Sequence, residues 1–91
     1  MFYLVSYDIT DDRRRTKLSK KLKDFGTRVQ YSVFECILNA TEFERMHQEM
    51  ETIIDQEEDS IRIYQICAAC EKIIAIIGKG CVTEDADIYV L

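Results

Sequence analysis

The sequence predicts an α+β protein in which helices cover one face of an antiparallel sheet. Short apolar runs rich in β-branched and aromatic residues are interrupted by segments whose apolar residues recur at helical spacing. The chain has 91 residues, 47% of them hydrophobic, with no proline and three glycines, so the connections are expected to be short. At this length, residues 1–91 are expected to form a single domain.

The first strand is predicted over Phe2 to Ile9, where an apolar run has almost no polar interruption. Because side chains alternate along a strand, the two faces carry different residues. One face carries Phe2, Leu4, Ser6 and Asp8, and the other carries Tyr3, Val5, Tyr7 and Ile9.

A basic helix is predicted directly after this strand. Polar and acidic residues suited to its first turn are Thr10, Asp11 and Asp12. Apolar residues at i, i+4 and i+7 form its buried stripe: Leu18, Leu22 and Phe25. Gly26 is suited to end it.

The rest of the chain predicts one more helix and four further strands. Val29 to Leu38 is expected to be one long strand, and Thr41-x-x-Glu44 is expected to cap the second helix. That helix carries Phe43, Met46, Met50, Ile53 and Ile54. The expected later elements are a strand from Ser60 to Cys67, a turn from Cys67 to Glu71, a strand from Lys72 to Ile77, and a short terminal strand from Ile88 to Leu91.

We interpret this pattern as the ferredoxin-like β-α-β-β-α-β arrangement with an additional short C-terminal strand. Both helices then lie on one face of the sheet, and no third helix is predicted to cover the other face. A second copy of the chain, packed sheet to sheet in a homodimer, would cover it, and the terminal strand would pair across that dimer.

The charge is unevenly distributed along the chain. The net charge is −5, but residues 1–38 carry eight Lys or Arg against five Asp or Glu, whereas residues 39–91 carry four against twelve. A local basic patch is the signature of phosphate binding, so nucleic acid is an expected partner although the net charge is negative. No apolar run reaches the ~18–20 residues that span a bilayer. We expect a cytoplasmic protein without membrane association, whose four cysteines are mainly thiols.

Asp8 is the candidate metal ligand, because it ends a strand immediately before the basic helix. Mg²⁺ is commonly held by one or two carboxylates together with phosphate oxygens, so few protein ligands are needed. The alternative is that Asp8 merely ends a strand and caps a turn. The candidate nucleic-acid-binding residues cluster on one side of the helix: Arg13, Arg14, Lys17, Lys20 and Lys21. Their alternative role is a solvated helix face.

Two segments, Tyr7-Asp8-Ile9-Thr10-Asp11-Asp12 and Arg28-Val29-Gln30-Tyr31-Ser32-Val33-Phe34-Glu35, give the chain a resemblance to the Cas-two family of CRISPR spacer acquisition. The resemblance implies a prokaryotic, homodimeric, metal-dependent endonuclease that acts on RNA or double-stranded DNA. It implies Mg²⁺, or Mn²⁺ in its place, at Asp8 near the dyad. It also implies that the catalytic residues are Asp8, Tyr7, Arg15, Lys17, Arg28 and Phe34.

Three alternatives stay open at the sequence level. The dimer could be a non-catalytic scaffold that binds DNA and bridges CRISPR integrase subunits, as the resemblance also implies. Toxin-type ribonucleases share this fold and dimer mode. Cys67 and Cys70 form a C-x-x-C pair that could bind a metal or undergo redox chemistry, although a lone pair lacks the four ligands of a structural zinc site.

Overall fold

The computed structural model describes residues 1–84, so the expected terminal strand, Ile88 to Leu91, lies outside the described residues. The elements are β1 (Phe2–Asp8), α1 (Asp12–Leu22), β2 (Thr27–Gln30), β3 (Val33–Ile37), α2 (Ala40–Ile53), β4 (Ser60–Ile66) and α3 (Ala68–Glu71). No helix within residues 1–84 is long and apolar enough to cross a membrane.

The sheet has the strand order β2-β3-β1-β4, and all of its pairings are antiparallel. From β1 to β4, the element order is β-α-β-β-α-β, which confirms the predicted α+β, ferredoxin-like fold. β1 is central and pairs with β3 on one side and β4 on the other, as its apolar sequence predicted.

The prediction of one long strand over Val29 to Leu38 is wrong. The chain turns at Tyr31 and Ser32, so this run forms the hairpin β2–β3, with a register irregularity between Arg28 and Gln30. The run has no glycine, proline or asparagine to signal a turn, which is why the hairpin was not visible in the sequence. The turn is held by the Tyr7 amide, which donates to the Ser32 carbonyl at 3.1 Å.

The second helix begins at Ala40 and its cap is Asn39, so the predicted capping box at Thr41 and Glu44 is wrong by two residues. The Asn39 side chain accepts from the Glu42 amide at 2.8 Å, and the Glu42 carboxylate accepts from the Asn39 amide at 2.9 Å. The chain offers the same pattern at both positions, and asparagine caps at least as well as threonine.

The prediction of a strand over Lys72 to Ile77 is also wrong for the described chain. The expected turn from Cys67 to Glu71 contains the short helix α3, and residues 73–84 have no regular structure. Ile77 is fully exposed and Ile73 is 77% exposed. An apolar run reports a preference for burial and does not specify what will cover it.

The core lies between the sheet and the two long helices. Val5 and Phe34 from the sheet pack with Leu18, Leu22 and Met46 from the helices, and none of these side chains is exposed. We call this side of the sheet the helix-covered face. The open face is the opposite side of β1 and β4, formed by Leu4, Ser6, Asp8, Arg62 and Tyr64.

Candidate functional site

Asp8 is the last residue of β1 and lies on the open face, opposite Ser60 of β4. Its side chain is exposed. Within residues 1–84 its carboxylate makes no hydrogen bond and no ion pair. Asp12 and Asp11 start α1 instead: Asp11 accepts from the Arg14 amide at 2.9 Å and is the helix cap. Asp8 is therefore a carboxylate that the described fold leaves available to a ligand.

Tyr7 and Phe34 lie on the helix-covered face and do not share the surface that Asp8 occupies. Tyr7 is 4% exposed and Phe34 is completely buried, with their ring centroids 6.4 Å apart. The Tyr7 hydroxyl donates to the Tyr31 carbonyl at 3.4 Å. These two predicted catalytic residues thus anchor the strand end and the hairpin turn from inside the core.

Arg15 and Arg28, also predicted near the phosphate, line the same groove on the helix side of the sheet. Arg28 donates from Nε and Nη2 to the Tyr31 carbonyl at 3.1 and 2.8 Å, and its guanidinium lies 5.2 Å from the centre of the Tyr31 ring. Arg15 donates to the Ile9 carbonyl at 3.0 Å and pairs with Asp12. Together they help to line a groove of about 200 Å³, which we call the basic groove: Tyr7, Arg15, Thr16, Ser19, Lys20, Lys23, Arg28 and Tyr31.

The lining of the basic groove contains four cations and no carboxylate, beside an exposed tyrosine. Cations that follow a backbone and an aromatic ring that stacks on a base are the usual parts of a single-strand contact. Lys23 and Tyr31 were missed by the sequence analysis. Tyr31 could have been found only if the turn had been recognised, because a residue in a strand would be expected to pack against neighbours.

The predicted nucleic-acid-binding set divides into free and paired cations. Within residues 1–84, Arg13, Lys17 and Lys20 make no ion pair, and they line one shallow hollow on the exposed side of α1. Lys21 lies 3.8 Å from the carboxylates of both Asp24 and Glu49. Lys17, which was also predicted to be catalytic, is thus separate from the basic groove.

Arg14 forms a salt bridge with Asp59, which immediately precedes β4. Its Nε donates to Asp59 at 2.8 Å, its Nη2 donates to the other Asp59 oxygen at 3.3 Å, and it also reaches Glu58 at 3.2 Å. The Asp59 side chain is fully buried and also accepts from the Asp55 amide at 2.9 Å. The hydrogen bonds from Arg14 and then from Asp55 hold the pKa of Asp59 below its usual value. Arg14 therefore joins α1 to the strand that neighbours Asp8.

One chain supplies few metal ligands. Among residues 1–84, no group of three or more His, Cys, Asp or Glu is placed to hold a metal ion. Mg²⁺ nevertheless accepts a site with one or two carboxylates, with waters and phosphate oxygens completing its shell. The exposed, unpaired carboxylate of Asp8 is compatible with such a site, provided that a second copy or a substrate supplies the other oxygens.

The cysteines fall into two environments. Burial raises the pKa of Cys36 to about 11, so this thiol behaves as a small apolar side chain. Cys67 and Cys70 are exposed on either side of one helical turn. Hydrogen bonds from Cys70 lower the pKa of Cys67, and the neighbouring Cys67 raises that of Cys70. Two thiols do not complete a structural zinc site, which takes four ligands.

Comparisons with known proteins identify the family. Residues 1–73 match the family model described as CRISPR associated protein Cas2. The CRISPR-associated endoribonuclease Cas2 1 of Chloroflexus aurantiacus is 46% identical over the full length of both chains. The CRISPR-associated endonuclease Cas2 2 of Thermus thermophilus is 39% identical and covers 98% of this chain and 94% of its own.

Two solved structures have the same fold. The crystal structure of a hypothetical protein, TT1823, from Thermus thermophilus has a TM-score of 0.80 and 38% identity, covering 91% of this chain and 96% of its own. A chain in a partial Cas6-RT-Cas1–Cas2 complex has a TM-score of 0.73 and 35% identity, covering 84% of this chain and 89% of its own. The strand-end aspartate, the ferredoxin-like fold and these matches lead to one conclusion: the chain belongs to the CRISPR-associated Cas2 family.

Proposed function

We propose that this protein is a metal-dependent endonuclease of CRISPR spacer acquisition, which hydrolyses phosphodiester bonds in RNA or double-stranded DNA in the prokaryotic cytoplasm. The observation that carries the proposal is the free carboxylate of Asp8, exposed at a strand end. Two relatives, named as an endoribonuclease and an endonuclease, support the reaction class. The relative in the Cas1–Cas2 complex supports an integrase subunit as partner.

The proposed active form is a homodimer in which the open faces of two copies meet. The open face carries Leu4 and the half-exposed Tyr64 among its polar residues, and neither α1 nor α2 covers it. In a two-fold dimer the same patch meets itself. The resemblance to the Cas-two family implies that the two Asp8 side chains lie near the axis of that dimer. Two carboxylates there would repel each other unless a cation lay between them, which favours metal binding at this position.

In this proposal Asp8 from each copy holds Mg²⁺, or Mn²⁺ in its place. The bound metal would supply a water of lowered pKa and would polarise the phosphodiester. Asp8 orients the reacting group, since it is held in the sheet opposite Ser60 of β4. The buried Tyr7 and Phe34 keep that strand end and the hairpin turn in position. Arg15 and Arg28 bind backbone phosphates away from the cleaved bond, because they lie in the basic groove. Lys17 does the same from the exposed side of α1.

The test is cleavage of labelled single-stranded RNA and duplex DNA in Mg²⁺, Mn²⁺ or EDTA by the wild type, Asp8→Ala and Asp8→Asn. We expect metal-dependent cutting that both variants lose, with the oligomeric state unchanged by sedimentation. Asp24→Asn is the matched control, because Asp24 is an exposed aspartate beyond α1. Cutting by Asp8→Ala at the wild-type rate would show that the activity belongs to a contaminating nuclease or another site.

The second candidate is a non-catalytic scaffold that holds DNA for the integrase. The observation that favours it is the concentration of cations on α1 and in the basic groove, all away from the open face. Double charge reversal, Arg13→Glu with Lys17→Glu, should then impair spacer acquisition, whereas Asp8→Ala should not. Arg14 is left intact because it holds Asp59. Acquisition that survives the reversal but fails with Asp8→Ala would reject the scaffold.

A further inference from the structure

Arg62 is a cation on the open face that the sequence analysis did not connect with Asp8. It lies in the middle of β4 opposite Ser6, while Asp8 lies opposite Ser60. Asp8 and Arg62 are therefore diagonal neighbours on one face of an antiparallel pair, a relation that places Cα atoms about 7–8 Å apart. Arg62 is exposed, and its guanidinium has no hydrogen bond or ion pair to any residue in 1–84.

The side chains of Asp8 and Arg62 carry opposite charges, yet they do not pair with each other. Arg14, Arg15 and Lys21 all lie within 4 Å of a carboxylate, so the cations of this chain readily pair where a carboxylate is in reach. Glu35, the other carboxylate on this side of the sheet, accepts from the Thr83 amide and hydroxyl at 3.2 and 2.7 Å. Arg62 and Asp8 are thus two opposite charges on one face of the sheet, diagonal in the strand register, and neither side chain is paired within residues 1–84.

A phosphodiester accompanied by a divalent cation suits such a pair of charges. The carboxylate attracts the metal, and the planar fork of a guanidinium donates two hydrogen bonds to phosphate oxygens. The basic groove does not supply this contact, because Arg28 is paired with the buried Phe34 in register and therefore lies on the helix-covered face. Arg62 is the described cation that shares the surface of Asp8.

We propose that Arg62 binds the non-bridging oxygens of the phosphate held at Asp8, and so is the phosphate-binding residue of the cleavage site. This inference rests on the proposed role of Asp8. In the dimer the two copies of Arg62 would flank the axis, one on each side of the paired aspartates. Arg62 orients the phosphate and offsets the negative charge that develops during attack by water.

The first test measures binding without cleavage. Affinity for labelled single-stranded RNA and duplex DNA is measured by fluorescence anisotropy with Asp8 intact and with Ca²⁺ in place of Mg²⁺, because Ca²⁺ also takes oxygen ligands; gels confirm that the substrate stays intact during each titration. Arg62→Gln should weaken binding by about tenfold, the loss of one charge-assisted contact. Arg62→Lys should weaken it less, because the charge remains without the fork. Arg45→Gln on α2 is the matched control, since Arg45 is an exposed arginine stacked on Phe25 and should leave the affinity unchanged.

The second test measures turnover with Asp8 intact. Arg62→Gln should lower kcat by about 10²-fold, the usual loss for one donor to developing charge, with Arg62→Lys in between. Arg62→Ala is measured in parallel. If sedimentation shows that the alanine weakens the dimer, the conclusion is drawn from Arg62→Gln alone. Wild-type cutting and affinity in Arg62→Gln, with cutting lost in Asp8→Ala, would overturn the role of Arg62 and leave the proposed function intact. Absence of metal-dependent cutting in the wild type would overturn both.

Discussion

The two faces of the sheet use the same strands for different purposes. On the helix-covered face, Val5, Phe34 and Cys36 have no exposed surface and pack against the two long helices. On the open face, Asp8 and Arg62 are exposed, and neither has a partner within residues 1–84. Because side chains alternate along a strand, β1 can contribute to the core and to the candidate site without any irregularity.

Two aspartates at one end of the sheet show the contrast most directly. Asp59 immediately precedes Ser60, the residue that pairs with Asp8. The Asp59 side chain is buried and bonded to Arg14 and the Asp55 amide, whereas the Asp8 side chain is exposed and unpaired in the described chain. A buried carboxylate must be satisfied within the protein, so Asp59 is structural. An exposed carboxylate at a strand end, such as Asp8, remains available for chemistry.

The largest effect on stability is expected when the helix-covered face is truncated. Phe34→Ala removes a completely buried ring from the centre of the core, and should lower the free energy of unfolding by about 3–5 kcal/mol. Tyr64→Ala on the open face is the matched control, and should change it by about 0.5 kcal/mol or less in the monomer. Urea denaturation at fixed protein concentration measures both.

Sedimentation of the same two variants sharpens the comparison. If a second copy covers the open face, Tyr64→Ala should weaken the dimer although it hardly affects the fold of each chain. A loss of stability in Tyr64→Ala equal to that in Phe34→Ala, measured under conditions where the protein is monomeric, would show that the open face belongs to the core.

A smaller loss of stability is expected where Gly26 lies close to Cys36 and Glu35 of β3. A Cβ on Gly26 would lie 2.4 Å from the Cys36 sulfur and 2.4 Å from the Glu35 carbonyl oxygen, and the latter is backbone that cannot move aside. Gly26→Ala should therefore cost about 1–3 kcal/mol through overpacking. Thr27→Ala at the neighbouring exposed position is the control. Equal urea midpoints for the two variants would show that β3 moves away from the added methyl group at little cost.

Features that depend on local pattern were predictable from the sequence. The alternation in β1 correctly separated Asp8 from Tyr7, and the i, i+4, i+7 spacing identified the buried stripe of α1 at Leu18 and Leu22. The resemblance identified the family, as the full-length match at 46% identity confirms. The residues proposed for catalysis and binding stay predictions.

Features that depend on distant partners were not predictable. Arg14 lies among other cations in the sequence, and only the fold brings it to Asp59, 45 positions away. Arg62 joins Asp8 through strand register, which no local pattern specifies. The turn at Tyr31 has no glycine, proline or asparagine. The Tyr31 carbonyl accepts from Tyr7, 24 positions away, and from Arg28, three positions away.

The smallest effect is expected in the acid stability of the helix-covered side. The pKa of Asp59 is lower in the folded chain than its unfolded value of about 3.9, so the unfolded chain binds more protons in acid. The stability supplied by ionised Asp59 is therefore fully present above that unfolded value, and is lost as the pH falls through the lower, folded value. Asp59→Asn should be less stable than the wild type at neutral pH, and this deficit should shrink progressively as the pH falls below about 4.

Thermal unfolding followed by circular dichroism across this range measures the effect. Arg14→Lys should give an intermediate profile, because lysine keeps the charge but not the paired contact through Nε and Nη2. Arg13→Lys is the control on the adjacent, exposed position and should follow the wild type. A deficit in Asp59→Asn that stays constant from neutral pH into acid would show that Asp59 contributes through packing alone. The contrast with Asp8 would then be one of burial and not of charge.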